Sequence, residues 1–221
     1  YSSAASDVYK RQNKMNSVKY FNSIAKEWNK MRVDYFKDEL REMAIKSVDI
    51  SNKVIADLGA GTGFISLGIA KKANIVFSLD SSKNMLKELY SSAKENEINN
   101  IYPIKGELEN LPLFDDSIDL IFMNMALHHV ANPDKAIKEM NRVLKPNGKV
   151  VITDVLEHKG EWAREEMFDT WLGFNYDQLI NWFEKAGFKN ISIKNTGLVA
   201  RGESSFGEVI EPGIFMAIAK K

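Results

Sequence analysis

The chain has three histidines, His128, His129 and His158. Imidazole titrates near neutral pH, so each is a candidate for moving a proton. His128 and His129 come after the apolar run Ser117-Ile118-Asp119-Leu120-Ile121-Phe122-Met123-Asn124, which reads as a buried strand. His158 lies in a mixed polar and aromatic stretch, Glu157-His158-Lys159-Gly160-Glu161-Trp162-Ala163-Arg164. Cysteine is absent, which excludes disulfides, thiol nucleophiles and thiolate metal sites. No residue is expected to ligate a metal.

The elements that must position these groups begin at Val54-Ile55-Ala56-Asp57-Leu58-Gly59-Ala60-Gly61-Thr62-Gly63-Phe64. An apolar run, an acid and three alternate glycines predict a strand, a tight turn and then a helix. Glycine there permits positive φ and close approach of a ligand to the backbone. A second apolar run, Asn74 to Leu79, ends in Asp80. An acid about 20 residues after the first turn is where a ribose-binding carboxylate ends a second parallel strand. A nicotinamide or flavin site requires G-x-G-x-x-G, whereas this chain reads G-x-G-x-G with Phe64 at the third-glycine position.

The segments after Asp80 extend the pattern. Ser81 to Asn96 reads as a helix, with Ser81 or Ser82 as its cap. Ile101-Tyr102-Pro103-Ile104 reads as a third strand and leads into Gly106-Glu107-Leu108-Glu109-Asn110-Leu111-Pro112. Pro133 to Leu144 has helical apolar spacing, and Leu144-Lys145-Pro146-Asn147-Gly148 leads into a fifth strand, Lys149 to Asp154. In this order the segments resemble the class I S-adenosylmethionine-dependent methyltransferases. The resemblance is close over about residues 51–154 and looser elsewhere.

That resemblance implies an α/β, Rossmann-like fold: a seven-stranded, mostly parallel sheet with helices on both faces and an antiparallel last strand. It implies S-adenosyl-L-methionine as cofactor. Asp57, Gly59, Ala60, Gly61, Gly63, Asp80, Ser81, Met85, Glu107, Leu108 and Asn124 would form its site, with Asp57 orienting the amino-acid end or bracing the turn. Where the family has G-D before L-P, this chain has Gly106-Glu107, which retains the acceptor but changes its reach. His128 and His158 are the expected substrate or base residues. Tyr20, Trp28, Tyr35, Asp154 and Trp162 are expected to complete an acceptor site above strands four and five.

Residues 1–14 are polar and aperiodic and read as a non-native or disordered tail. Residues 15–50 read as cap helices, and 51–221 as the methyltransferase domain, with a variable substrate-side segment at about 155–178. Trp171 and Phe174 read as a hydrophobic clamp, and residues 197–213 as a flexible surface loop. Thirty basic and thirty acidic residues give zero net charge, and no dense basic run calls for nucleic acid. No apolar stretch reaches membrane-spanning length, and the lack of cysteine fits a cytoplasmic protein. It also excludes thiolate-dependent arsenite methylation. The expected partner is a small-molecule methyl acceptor (thiol, hydroxyl, amine or carbon), bound by a monomer or homodimer without membrane. A quinone-type C-methyltransferase, a non-catalytic S-adenosylmethionine sensor and a nicotinamide dehydrogenase remain the alternatives.

Overall fold

The computed structural model describes residues 3–221, with side chains at residue 8 and from residue 12 onward. Three helices, α1 (Ser3–Ile24), α2 (Trp28–Tyr35) and α3 (Asp38–Lys46), precede β1 (Val54–Leu58). The chain then alternates through α4 (Ser66–Ile69), β2 (Ile75–Asp80), α5 (Lys83–Glu95), β3 (Ile101–Lys105), β4 (Ile118–Asn124), α6 (Pro133–Val143) and β5 (Leu144–Val155). A short α7 (Trp162–Glu166) and α8 (Tyr176–Lys185) lead to β6 (Lys189–Val199). A two-residue-strand hairpin, β7 (Gly202–Glu203) and β8 (Val209–Ile210), precedes β9 (Gly213–Lys220).

The seven-stranded sheet has the order β3-β2-β1-β4-β5-β9-β6. β1 pairs in parallel with β2 and β4, while β9 runs antiparallel to both β5 and β6. This is the Rossmann-like arrangement expected from the alternating pattern. The order reverses direction at β1, so the C-terminal ends of β1 and β4 border a crevice. Both sheet faces are covered, which accounts for the nearly continuous apolar strands. On β4, Ile121 and Met123 pack with α6 and α8 residues such as Met140 and Phe183. Leu120 and Phe122 pack on the other face with Ile65, Leu89 and Met216. Full burial of one such side chain contributes about 1.5–3 kcal/mol.

Local signals set several boundaries. The Ser82 hydroxyl caps α5 by accepting from Met85 N at 3.2 Å. Pro133 occupies the first turn of α6, where its missing N–H costs nothing. Gly187 ends α8 with φ +91°.

Three segments differ from expectation. Tyr1 and Ser2 lie outside the described residues, but from Ser3 the supposed tail is continuous with α1. Asn13 is buried, and its amide donates to Phe168 O and Thr170 Oγ1, both at 3.2 Å. That docking uses polar side chains, so it leaves no apolar periodicity to read. The helix after the glycine turn is only four residues long. Residues 197–213, read as a surface loop, extend β6 and form the β7–β8 hairpin beside the cavity, with Arg201 N donating to Tyr35 O at 2.9 Å. Among the described residues, no helix is long and apolar enough to cross a membrane.

Candidate active site

The glycine turn is held from beneath and from the side. Gly59 N and Ala60 N both donate to Leu79 O at 2.9 Å, tying the turn to β2. Gly59 has φ +70°, and a Cβ there would lie 2.4 Å from Ala126 Cβ, so only glycine lets the turn close against the exit of β4. Gly63 has φ +95°, and a Cβ would meet Leu89 Cδ1 at 2.2 Å. Gly63 is therefore the glycine that admits α5, a packing role of the kind G-x-G-x-x-G assigns to its third glycine. Phe64 is released from that role and packs edge-on to Phe36 at 5.3 Å, with the Arg32 guanidinium 4.2 Å from its ring.

Asp57 is 1% exposed and does not reach the cavity above the turn. Its Oδ2 accepts from Ser66 N at 2.9 Å and Ser66 Oγ at 2.5 Å. Ser66 Oγ lies 2.6 Å from Ser78 Oγ. Of its two expected roles, Asp57 braces the turn and does not contact a ligand, because its carboxylate is spent on α4. Burial pushes it up to about 7 against the opposing Ser66 hydrogen bonds. Asp80 is better placed. Its Oδ2 accepts from Gly61 N and its Oδ1 from Ser82 N, each at 2.8 Å. Burial raises its pKa, opposed by the N–H groups of Ser82, Gly61 and Ser81.

One cavity runs from this turn to the end of β4. Of the residues expected at the cofactor site, Gly59, Ala60, Gly61, Asp80, Ser81, Met85, Glu107, Leu108 and Asn124 line it, whereas Asp57 and Gly63 do not. Glu107 also pairs with Lys14 from α1 at 2.8 Å, across the cavity rim. Asn124 Oδ1 accepts from Thr153 Oγ1 at 2.7 Å. The acceptor candidates Tyr20, Trp28, Tyr35, His128 and His158 line the same cavity. Trp28 stacks on Tyr35 at 6.0 Å and meets Phe21 edge-on at 5.6 Å, which makes an aromatic roof. Burial raises the pKa of Tyr20 and Tyr35, which keeps both phenols neutral.

Asp154 and Trp162 do not line the cavity. Asp154 is fully buried because β9 pairs along the C-terminal half of β5. It acts beneath the surface: its Oδ1 lies 2.6 Å from His128 Nδ1, and its Oδ2 accepts from Leu127 N at 2.8 Å. Trp162 turns away and packs on the hairpin, where a Cβ on Gly202 would lie 3.0 Å from its ring. The clamp reading of Trp171 and Phe174 holds: the rings lie 5.9 Å apart, both meet Trp182 at 5.7 Å, and Trp171 Nε1 donates to Val130 O.

Asp169, which carries no motif, and His129, which is absent from the expected acceptor site, also line the cavity. Asp169 Oδ1 lies 3.7 Å from His128 Nε2 and 3.5 Å from His129 Nδ1. Burial alone disfavours a charged His128, but the carboxylates of Asp154 and Asp169 outweigh it and raise the ring to about 9. Burial, then the charge of His128, lowers His129 well below its ordinary value. Burial lifts Asp169 to about 6, against the pull of His128. His158 is lowered by burial and then by the charges of His128 and Arg164. Its Nδ1 accepts from Gly160 N at 3.2 Å, so the neutral ring carries its proton on Nε2. His158 is therefore a hydrogen-bond donor in this state, which does not suit the expected base role.

The donor set fits S-adenosylmethionine. A carboxylate at the end of β2, a glycine turn with open space above Gly61 and the apolar side chain of Met85 share one wall. A Cβ on Gly61 would meet Trp28 Nε1 only at 3.8 Å.

Known proteins share the motif order and the fold. A family profile described as "Methyltransferase domain" matches residues 56–152. The chain is 29% identical over 192 residues to the chloroplastic 2-methyl-6-phytyl-1,4-hydroquinone methyltransferase of Spinacia oleracea, covering 84% of this chain and 55% of that one. It is 29% identical over 197 residues to demethylmenaquinone methyltransferase of Staphylococcus haemolyticus, covering 74% of this chain and 79% of the relative. The chain thus spans about half the length of the plant relatives it matches. The crystal structure of YcgJ from Bacillus subtilis shares the fold, with a TM-score of 0.71 at 18% identity over 82% of this chain and 97% of that one. By motif order, strand order and the family match, residues 56–152 form a methyltransferase domain of the class I S-adenosylmethionine-dependent kind.

Proposed function

We propose that this chain transfers a methyl group from S-adenosylmethionine to a small molecule, with residues 51–221 as the catalytic body and α1 to α3 as its cap. The observation that carries this reading is the continuity of one cavity from Asp80 and the glycine turn to His128. The sulfonium cofactor supplies an activated methyl group for in-line displacement. The chain's own residues supply position and shielding. Asp80 would hold the ribose hydroxyls from its site beside Gly61, and Glu107 and Leu108 would meet the adenine edge.

Within this reading a hydroquinone-type ring is the favoured acceptor. The plant and staphylococcal relatives are named as hydroquinone and demethylmenaquinone methyltransferases. Here the roof formed by Phe21, Trp28 and Tyr35 suits a flat aromatic acceptor. Asp154 fixes the His128 ring by taking its Nδ1–H, which leaves Nε2 to hold a ring oxygen. In place of the expected base, His128 acts as a donor to the oxygen of an acceptor bound as its phenolate; as the ring carbon takes the methyl and the S–CH3 bond breaks, that carbon's own proton passes to water. Calorimetry with S-adenosylmethionine and with NAD tests the cofactor half. The reading requires micromolar-class binding of the former and none of the latter.

A further inference from the structure

We propose that His128 Nε2, His129 Nδ1 and Asp169 Oδ1 form a binding site for a divalent transition-metal ion of the zinc class. The three ligand atoms lie within 4.8 Å of one another on the cavity wall. The oxygen of Asp169 is 3.7 Å from one imidazole nitrogen and 3.5 Å from the other. Both separations exceed ordinary hydrogen-bond length. They match the spacing of donors sharing one tetrahedral ion, roughly 3.4 Å for ligands about 2.1 Å from the metal.

The second observation is an orphan. Asp169 is 5% exposed, and its Oδ1 is buried with no hydrogen-bond partner among the described residues. The other buried carboxylates of this region are differently treated. Asp57 and Asp154 each accept at least two hydrogen bonds. A buried carboxylate oxygen without a hydrogen bond is costly, and the charged His128 ring 3.7 Å away attracts this one without supplying that bond.

The surroundings are built as metal sites are. Asp154 takes the Nδ1–H of His128, the carboxylate–histidine contact that fixes a ligating ring with its other nitrogen toward the ion. The carbonyl of His128 accepts from Thr170 N and Trp171 N, both at 3.0 Å, which ties the histidine pair to the segment carrying Asp169. Phe168 O can only accept, so its 3.4 Å contact with His129 Nδ1 calls for a proton there, which an ion displaces when it binds. Two imidazoles and one carboxylate, without sulfur, suit zinc and its first-row neighbours. An ion here displaces the Nε2 proton of His128 and takes over from it the contact with the acceptor oxygen, at the position that three protein ligands on a cavity wall leave open. That last consequence rests on the methyl-transfer reading; the site itself does not.

The test uses the chelator-treated chain titrated with Zn²⁺ alone by calorimetry and with Co²⁺ alone by absorption. The expected result is one ion per chain with micromolar or tighter affinity and the intense visible bands of tetrahedral Co²⁺. His129→Ala and Asp169→Asn should each weaken Zn²⁺ by about 100-fold or more, and Asp154→Asn by about 10–100-fold. Thermal melts establish which variants are folded, and the Co²⁺ spectrum of the unsubstituted chain stands whatever they show. Absence of that spectrum, or undiminished Zn²⁺ binding by a folded His129→Ala or Asp169→Asn variant, overturns the proposal. S-adenosylmethionine calorimetry on the same samples reports separately on the methyltransferase reading.

Discussion

Asp154 and His128 form a clamp across two strands: the carboxylate at the end of β5 lies 2.6 Å from the imidazole Nδ1 of a residue just beyond β4. The same carboxylate accepts from the backbone N–H groups of Leu127, His128 and Val155. A side chain with no exposure therefore sets both the chain path after β4 and the angle of the ring facing the cavity. Asp154→Asn should lower stability by about 1–3 kcal/mol, because an amide places a donor against groups that all donate. Turnover of the folded fraction should fall at least tenfold, while cofactor affinity changes little. His128→Gln should reproduce the loss of turnover with a smaller drop in melting temperature. Wild-type turnover in folded Asp154→Asn would contradict a positioning role.

Asp80→Ala removes the carboxylate that spans Gly61 N and Ser82 N. Charge-assisted hydrogen bonds contribute roughly 1.5–3 kcal/mol each. S-adenosylmethionine should bind at least tenfold more weakly in a calorimetric titration. Unchanged affinity would remove Asp80 from the cofactor site.

His158 and Trp162, expected to act together, separate in the structure. His158 lines the cavity, whereas Trp162 packs against Gly202 of the hairpin. His158→Ala should raise the acceptor KM several-fold with a melting temperature near wild type. Trp162→Ala should cost about 2 kcal/mol, less than the ~3–5 kcal/mol of a fully buried tryptophan, with kinetics per folded molecule retained. The reverse pattern would restore Trp162 as a wall of the acceptor site.

The buried Asp57 carboxyl makes a pH prediction of defined sign. Its folded pKa, about 7, is raised above the unfolded value, so the native state binds the proton more tightly. This contribution favours folding at acid pH and is lost as pH rises from the unfolded carboxyl range through about 7. Asp57→Asn removes that dependence. The stability of the variant relative to wild type should therefore improve between about pH 5 and pH 7.5. A difference that stays constant across this range in denaturant melts would contradict the assignment.

The features legible in the sequence were local. Gly59, Gly61 and Asp80 lie at fixed spacings along a strand–turn–helix unit, and that spacing is itself the geometry. Phe64 could be excluded as a helix-packing glycine, but that Gly63 takes over the role depends on Leu89, which only the packing of α5 reveals. Asp154 was placed in the right region and at the wrong depth, because its burial comes from pairing with β9, late in the chain. Asp169 carried no sequence signal. It reaches the histidines because Thr170 N and Trp171 N bond to His128 O, a long-range contact that no periodicity encodes. Asn13 and the β7–β8 hairpin were missed for the same reason.

The central claim is that one cavity brings donor and acceptor together for methyl transfer. The direct measurement is incubation of the chain with methyl-labelled S-adenosylmethionine and a panel of hydroquinones, phenols, thiols and amines, with mass spectrometry of the products. The predicted result is S-adenosylhomocysteine formation that depends on an added acceptor, with the label on a hydroquinone ring carbon and the signal lost in Asp80→Ala. Tight cofactor binding with no label transferred to any member of the panel would contradict the claim and leave a binding protein in place of an enzyme.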